Sequence, residues 1–144
     1  MAEHLESRGL IVVGDGNFGM NVIGTLHSQS QIEQLVGGRT QMGYGLEPPL
    51  NRALFAALLR PELDNPYDRH VVRVIIRNVG VGYLELNIAK ELFAALALNH
   101  LTHATCIAAI CGGWHRRPHD RGDDGNFGVR LDIIMPVHFR APKI

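Results

Sequence analysis

Between Val71 and Val79 the chain alternates, with Val72, Val74 and Ile76 on one side and Arg73 and Arg77 on the other. A period of two in a run rich in β-branched residues predicts a half-buried strand. Shorter apolar runs at Leu10–Gly14, Met20–Leu26, Thr105–Gly113 and Val129–Val137 predict four more strands. In the last of these, Leu131, Ile133 and Met135 are expected to face inward, and Arg130 and Asp132 outward. Helical spacing appears twice. Pro48-Pro49 suits a first helical turn, because the N–H that proline lacks would be unbonded there. Leu50, Leu54, Ala57 and Leu58 then form one stripe, and Pro61 ends it. Leu84–Leu98 carries Ile88, Ala89, Leu92, Phe93, Leu96 and Leu98 nearly all the way round, with Asn87 as its expected cap. A helix of that kind is buried on more than one side, and in so short a chain the second side is expected to meet another copy.

Ser28–Tyr44 is polar and glycine-rich, with a faint helical pattern at Ile32, Leu35 and Val36, and reads as a long surface loop with at most one helical turn. Leu63–Arg69 reads as a turn, Gly80–Gly82 as a break, and Trp114–Gly125 as a polar loop between strands. The elements together predict one α+β domain over residues 1–144: a mixed or antiparallel sheet of about five strands against two main helices.

Of the 144 residues, 46% are hydrophobic and 19% charged, with 14 basic and 14 acidic side chains. That composition folds without metal or disulfide staples. A net charge of zero leaves no electrostatic footprint for nucleic acid or an anionic membrane, and little repulsion between copies. No apolar stretch is long enough to span a bilayer, and the polar start Met1–Arg8 is unlike a signal peptide. Cys106 and Cys111 lie in one apolar run without redox or zinc spacing. They read as buried thiols in a reducing, cytoplasmic setting. The expected partners are further copies of the chain and a small molecule.

Two strings recur. Gly16-Asn17-Phe18-Gly19 returns as Gly125-Asn126-Phe127-Gly128, each beside aspartate, and Leu54-Phe55-Ala56-Ala57-Leu58 returns as Leu92-Phe93-Ala94-Ala95-Leu96. The repeats suggest either a duplicated helix–strand unit or chance in a chain rich in Ala and Leu.

Chemistry concentrates in two places. Gly14–Gly19 fits G-x-G-x-x-G after an apolar strand, as in dinucleotide sites. A strand-ending acid is missing about twenty residues on, where Gly37-Gly38-Arg39-Thr40 stands. Nucleotide binding is one alternative; a glycine turn is the other. The loop Trp114–Asp124 packs His115, Arg116, Arg117, His119, Asp120, Arg121, Asp123 and Asp124 between strands. His115, His119 and Asp120 are the candidate catalytic acid/base groups there, with Arg116 a candidate ligand contact. A metal pair is disfavoured, because Pro118 interrupts the helix that H-x₃-H ligation needs. Asp15, Asn17, His27 and Asn126 are the other candidate ligand-binding residues, with His27 and His138 at strand ends after the two GNFG copies. His100 and His103 suit the end of the long helix. No cofactor is indicated.

The turn Val13-Gly14-Asp15-Gly16-Asn17 resembles the N-terminal turn of the formaldehyde-activating enzymes, which carry VGDGN between two opening strands. The order helix (Pro49–Leu59), strand (His70–Arg77), second helix, second strand and a His/Asp loop after His115 is similar as well. The resemblance implies a ribosomal-S5-type α+β fold, a homo-oligomer, and condensation of formaldehyde with a reduced pterin. The catalytic histidine of that family falls here on Asn21, and the spacer between the two helices is shorter. The expectation is a homo-oligomeric protein with a small-molecule site, of lyase or condensing type. The alternatives are a non-catalytic assembly module built on Leu84–Leu98 and a nucleotide-binding domain.

Overall fold

The computed structural model describes residues 10–38, 40–41, 53–63, 70–115 and 125–141. They form an α+β arrangement of ten strands and two α-helices. The order is β1 (Ile11–Val12), β2 (Met20–Asn21), a 3₁₀ turn (Thr25–Ser28), α1 (Gln29–Val36), β3 (Thr40–Gln41), β4 (Ala53–Glu62), β5 (Val71–Ile76), β6 (Val79–Tyr83), α2 (Leu86–Leu98), β7 (Ala104–Gly112), β8 (Trp114–His115), β9 (Phe127–Leu131) and β10 (Phe139–Arg140). Eight strands make the main sheet in the order β10-β1-β7-β4-β5-β6, with β9 also on β7 and β2 on β9. All of its pairings are antiparallel except β1 with β7. The expected sheet of about five strands is therefore too small.

The sheet curls. Past β2, Ile23 bridges Tyr83 at the end of β6 through two backbone hydrogen bonds of 2.9 Å. The path β6-β5-β4-β7-β9-β2 thus returns to its own edge and leaves a seam. Gly82 makes the seam possible. Its φ is +153°, and a Cβ there would run into the Ile23 carbonyl and the Val22 side chain, so only glycine lets the two segments meet. The concave face is the core. Ala57, Leu59, Val72, Val74, Ile76, Ala108, Ile110 and Leu131 are buried there, and Ile32 of α1 with Leu92 and Leu96 of α2 close it.

β5 is built as its alternation predicts, with Val72, Val74 and Ile76 fully buried. It ends earlier than expected. Arg77 and Asn78 both have positive φ (49° and 67°) and form a two-residue turn, the geometry that matches strand twist in hairpins. Gly80–Gly82, expected as a break, belongs to β6, with a bulge opposite Val74/Ile75. Of the helix predicted to start at Pro48-Pro49, the described part, from Ala53 on, is instead β4. It pairs with β7 from Ala53 to Leu59 and with β5 from Leu58 to Glu62. Pro61 is tolerated because β4 there has β5 alone beside it, and a residue without N–H fits an edge.

The loop expected at Ser28–Tyr44 contains α1, which ends on Gly37 at φ 80°, with the Gly38 N–H donating to the Glu33 carbonyl at 3.0 Å. The 3₁₀ turn and Ile23 replace the second half of the strand expected over Met20–Leu26. In α2 the cap is Glu85, whose side chain accepts from the Asn87 N–H at 3.2 Å, so Asn87 is the capped residue. The helix closes through its backbone, with His100 at φ 55° and the Leu101 N–H donating to the Leu96 carbonyl at 2.9 Å. β9 stops at Leu131, because Asp132 and Ile134 turn their N–H groups to Ile107 and Val13 and Pro136 has none to give. Met135, expected inward, is 40% exposed.

No helix among the described residues is long and apolar enough to cross a membrane.

Candidate functional site

The seam that closes the sheet also opens a cleft. Gly24, at φ 77°, turns the chain out of the Ile23 bridge into the 3₁₀ turn, where the His27 N–H donates to the Gly24 carbonyl at 3.3 Å. His27 is thereby held over the end of β6. His70 arrives just before β5, its ring edge-on to Phe93 of α2 with centroids 5.1 Å apart. Between them lies a cleft of about 410 Å³ lined by Ile23, Gly24, His27, His70, Val71, Tyr83, Leu84 and Leu86. Apolar walls with three polar groups, two imidazoles and a phenol, are the usual make-up of a small-ligand pocket, and the volume is in range.

Tyr83 is fixed from behind. Arg73 donates from Nη2 to Tyr83 Oη at 2.8 Å and from Nε to Glu62 Oε1 at 2.6 Å. The bond to Glu62 raises the Arg73 pKa above its ordinary value, so the guanidinium stays charged. With Arg73 donating to its oxygen, Tyr83 keeps its own O–H as a donor. Among the described residues no three His, Cys, Asp or Glu side chains are placed to hold a metal ion.

The residues singled out in the sequence are dispersed. Asp15 and Asn17 form a self-contained turn. Asp15 accepts from the Asn17 backbone N–H at 2.9 Å and from its side-chain amide at 3.0 Å, and the backbone bond draws the Asp15 carboxyl pKa below its ordinary value. The Gly16 N–H donates to Asp132 Oδ1 at 2.9 Å. A dinucleotide site would need a helix next; the chain forms β2. Asn126 lies at the other end of β9, where its carbonyl accepts from Gly113 N–H at 3.3 Å. The two GNFG copies therefore meet opposite ends of one strand and make no common site. His115 stands in β8, beside Gln41 of β3. The β4 register sets Glu62 next to Val71 and Ala53 next to Ile110. His70 and His115 are thus at opposite ends of the central strands. Arg116, His119 and Asp120 lie outside the described residues. His138 is exposed, its Nδ1 2.8 Å from the Pro136 carbonyl, and does not line the cleft with His27. Cys106 is fully buried and its thiol is pushed far up by that burial, so it is chemically quiet. Cys111 is half-buried.

Of the ligand-binding candidates among the described residues, only His27 lines the cleft. His70 and Tyr83 were not readable as site residues, because a histidine before a strand and a tyrosine ending one carry no spacing signal. Gln29 was missed as well. Its side chain donates to the Thr25 and Phe127 carbonyls at 3.0 and 2.9 Å and accepts from the Phe127 N–H at 2.7 Å. It stands in for a neighbouring strand and pins the His27 turn to β9.

The fold defines an α+β protein with a curled, mostly antiparallel sheet and a cleft at its seam. No family model matches the chain, and no curated protein and no solved structure is significantly similar to it.

Proposed function

We propose that this chain binds a small, mostly apolar molecule in the seam cleft and that His27 and His70 exchange protons with it, as the acid/base pair of a lyase- or condensing-type enzyme would. The reading rests on one observation: His27, from the 3₁₀ turn, and His70, ahead of β5, converge on a single apolar cleft of about 410 Å³. Imidazoles suit the role because they give and take protons near neutral pH. The test is an NMR titration of the protein with small aldehydes and ketones, followed at the histidine ring protons. The ring signals of His27 and His70 should move together and saturate, while exposed His138 stays still. The loop residues His115, His119 and Asp120 are a rival acid/base set. If the titration moves His115 and His119 and leaves His27 and His70 in place, the cleft reading fails and the loop takes its role.

A second reading, assembly of identical copies through α2, is favoured by the end of that helix, where Leu98 is 82% exposed. Burying that side chain against a partner is worth at most ~1.5–3 kcal/mol. Light scattering should then give a mass well above the 15.9 kDa of one chain, and Leu98→Glu should bring it down.

A further inference from the structure

The convex face of the sheet holds a second cavity, of about 200 Å³, lined by Leu58, Arg60, Arg73, Ile75, Asn78 and Gly80. Arg60 and Arg73 are direct partners across the β4–β5 ladder. Like charges placed opposite each other in a sheet repel, and among the described residues only Arg73 has a carboxylate partner, Glu62. The donors of Arg73 are divided. Nε serves Glu62 and Nη2 serves Tyr83. Nη1 is left on the cavity side, where a Cβ added to Gly80 would stand 3.2 Å from it. Gly80 therefore leaves open the space in front of the remaining donor. Leu58 and Ile75 supply an apolar floor, and Asn78, set at the hairpin turn, adds an amide.

We propose that this cavity is a binding site for the carboxylate of a small organic acid, with Arg60 and Arg73 Nη1 holding the carboxylate and Leu58 and Ile75 carrying the start of an apolar tail. Two guanidiniums and one carboxylate leave the site with a single net positive charge. That charge fits a monoanion better than a doubly charged phosphate. The tail has somewhere to go: Ala56 and Leu54 continue along the same face of β4, and Leu54 is 60% exposed. The site is separate from the seam cleft, although the Arg73–Tyr83 hydrogen bond joins their walls.

The test is calorimetric titration of the full chain with octanoate, octanol and inorganic phosphate. Octanoate should bind saturably and more tightly than either of the others. Arg60→Gln should weaken octanoate about tenfold, the scale of one charge-assisted hydrogen bond, and leave octanol unchanged. Gly80→Ala keeps every charge and fills the space before Nη1, and should weaken octanoate too. Circular dichroism identical to the parent will show that either variant is folded; Arg60 is exposed, so its replacement leaves the core intact. The proposal is overturned if octanoate does not bind saturably or Arg60→Gln leaves its affinity unchanged. It is equally overturned if octanol or phosphate binds as tightly as octanoate, since either shows that only half the site is used.

Discussion

The pentapeptide Leu-Phe-Ala-Ala-Leu occurs twice in this chain, once as the middle of strand β4 (Leu54–Leu58) and once inside helix α2 (Leu92–Leu96). The five residues are identical, so their own propensities cannot explain the difference. All five positions are apolar, and an unbroken apolar run satisfies a period of 2.0 and a period of 3.6 equally. The surroundings decide. The second copy has local helix ends: Glu85 caps the first turn, and Asn99 returns a side-chain hydrogen bond to the Ala95 carbonyl at 2.8 Å. The first copy is laddered to β7 along its whole length, and β5 joins on the other side from Leu58 on, so strand partners rather than its own turns take up its backbone groups. Burial follows the geometry. In the strand Phe55, Ala57 and Leu59 face the core and Leu54 is 60% exposed, whereas in the helix Leu92 is 1% and Leu96 4% exposed. The first leucine of the repeat thus holds opposite positions in its two settings, while the second alanine, Ala57 or Ala95, is buried in both.

That contrast can be broken by experiment. The largest effect is at the first leucine. Leu92→Ala should cost ~2–5 kcal/mol, the usual range for emptying a packed core position, and Leu54→Ala no more than about 0.5 kcal/mol. Urea denaturation of the two variants gives both numbers, and equal costs would mean that the two copies share one structure. A smaller effect separates the exposed alanines. Valine is favoured in strands and restricted in helices. Ala56→Val should be neutral or stabilising by about 0.5 kcal/mol, and Ala94→Val destabilising by a similar amount. The same sign for both would undo the strand assignment of the first copy. The smallest expected difference is none at all. Peptides spanning 53–62 and 86–98 should show similar circular dichroism in aqueous trifluoroethanol, both helix-enriched, because such solvents report local preference. A β-type spectrum from the 53–62 peptide alone would return the explanation to local sequence.

The other repeat shows the same division. Gly16–Gly19 is a turn docked on Asp132, while Gly125–Gly128 leads into β9. In both copies the phenylalanine is buried, Phe18 at 8% and Phe127 at 1% exposure. What the two strings share is an aromatic anchor after a Gly-Asn step. They do not share a site or a fold unit, and neither repeat marks a duplicated helix–strand pair. Of the helix expected over Pro49–Leu59, on which the similarity in element order to the formaldehyde-activating enzymes rested, the described part, Ala53–Leu59, is a strand.

The sequence by itself determined the parts whose signals are local and unambiguous. β5 follows from strict alternation of β-branched and charged residues, and α2 from a long apolar helical run. β7 follows from its continuous small and branched apolar residues, and the burial of Cys106 from its place within that run. The α+β class follows from these. Only the tertiary structure decided the rest, because it depends on contacts between residues distant along the chain. β4 is a strand because β5 and β7 flank it. α1 is a helix because Ile32 is taken into the core and Gln29 is bonded to Phe127. The sheet closes because Gly82 admits Ile23 at the seam. His27 and His70 share a cleft, and Arg60 faces Arg73, only through that closure and that register. No spacing along the chain encodes a meeting across a seam, and for that reason the site was not legible where the strands around it were.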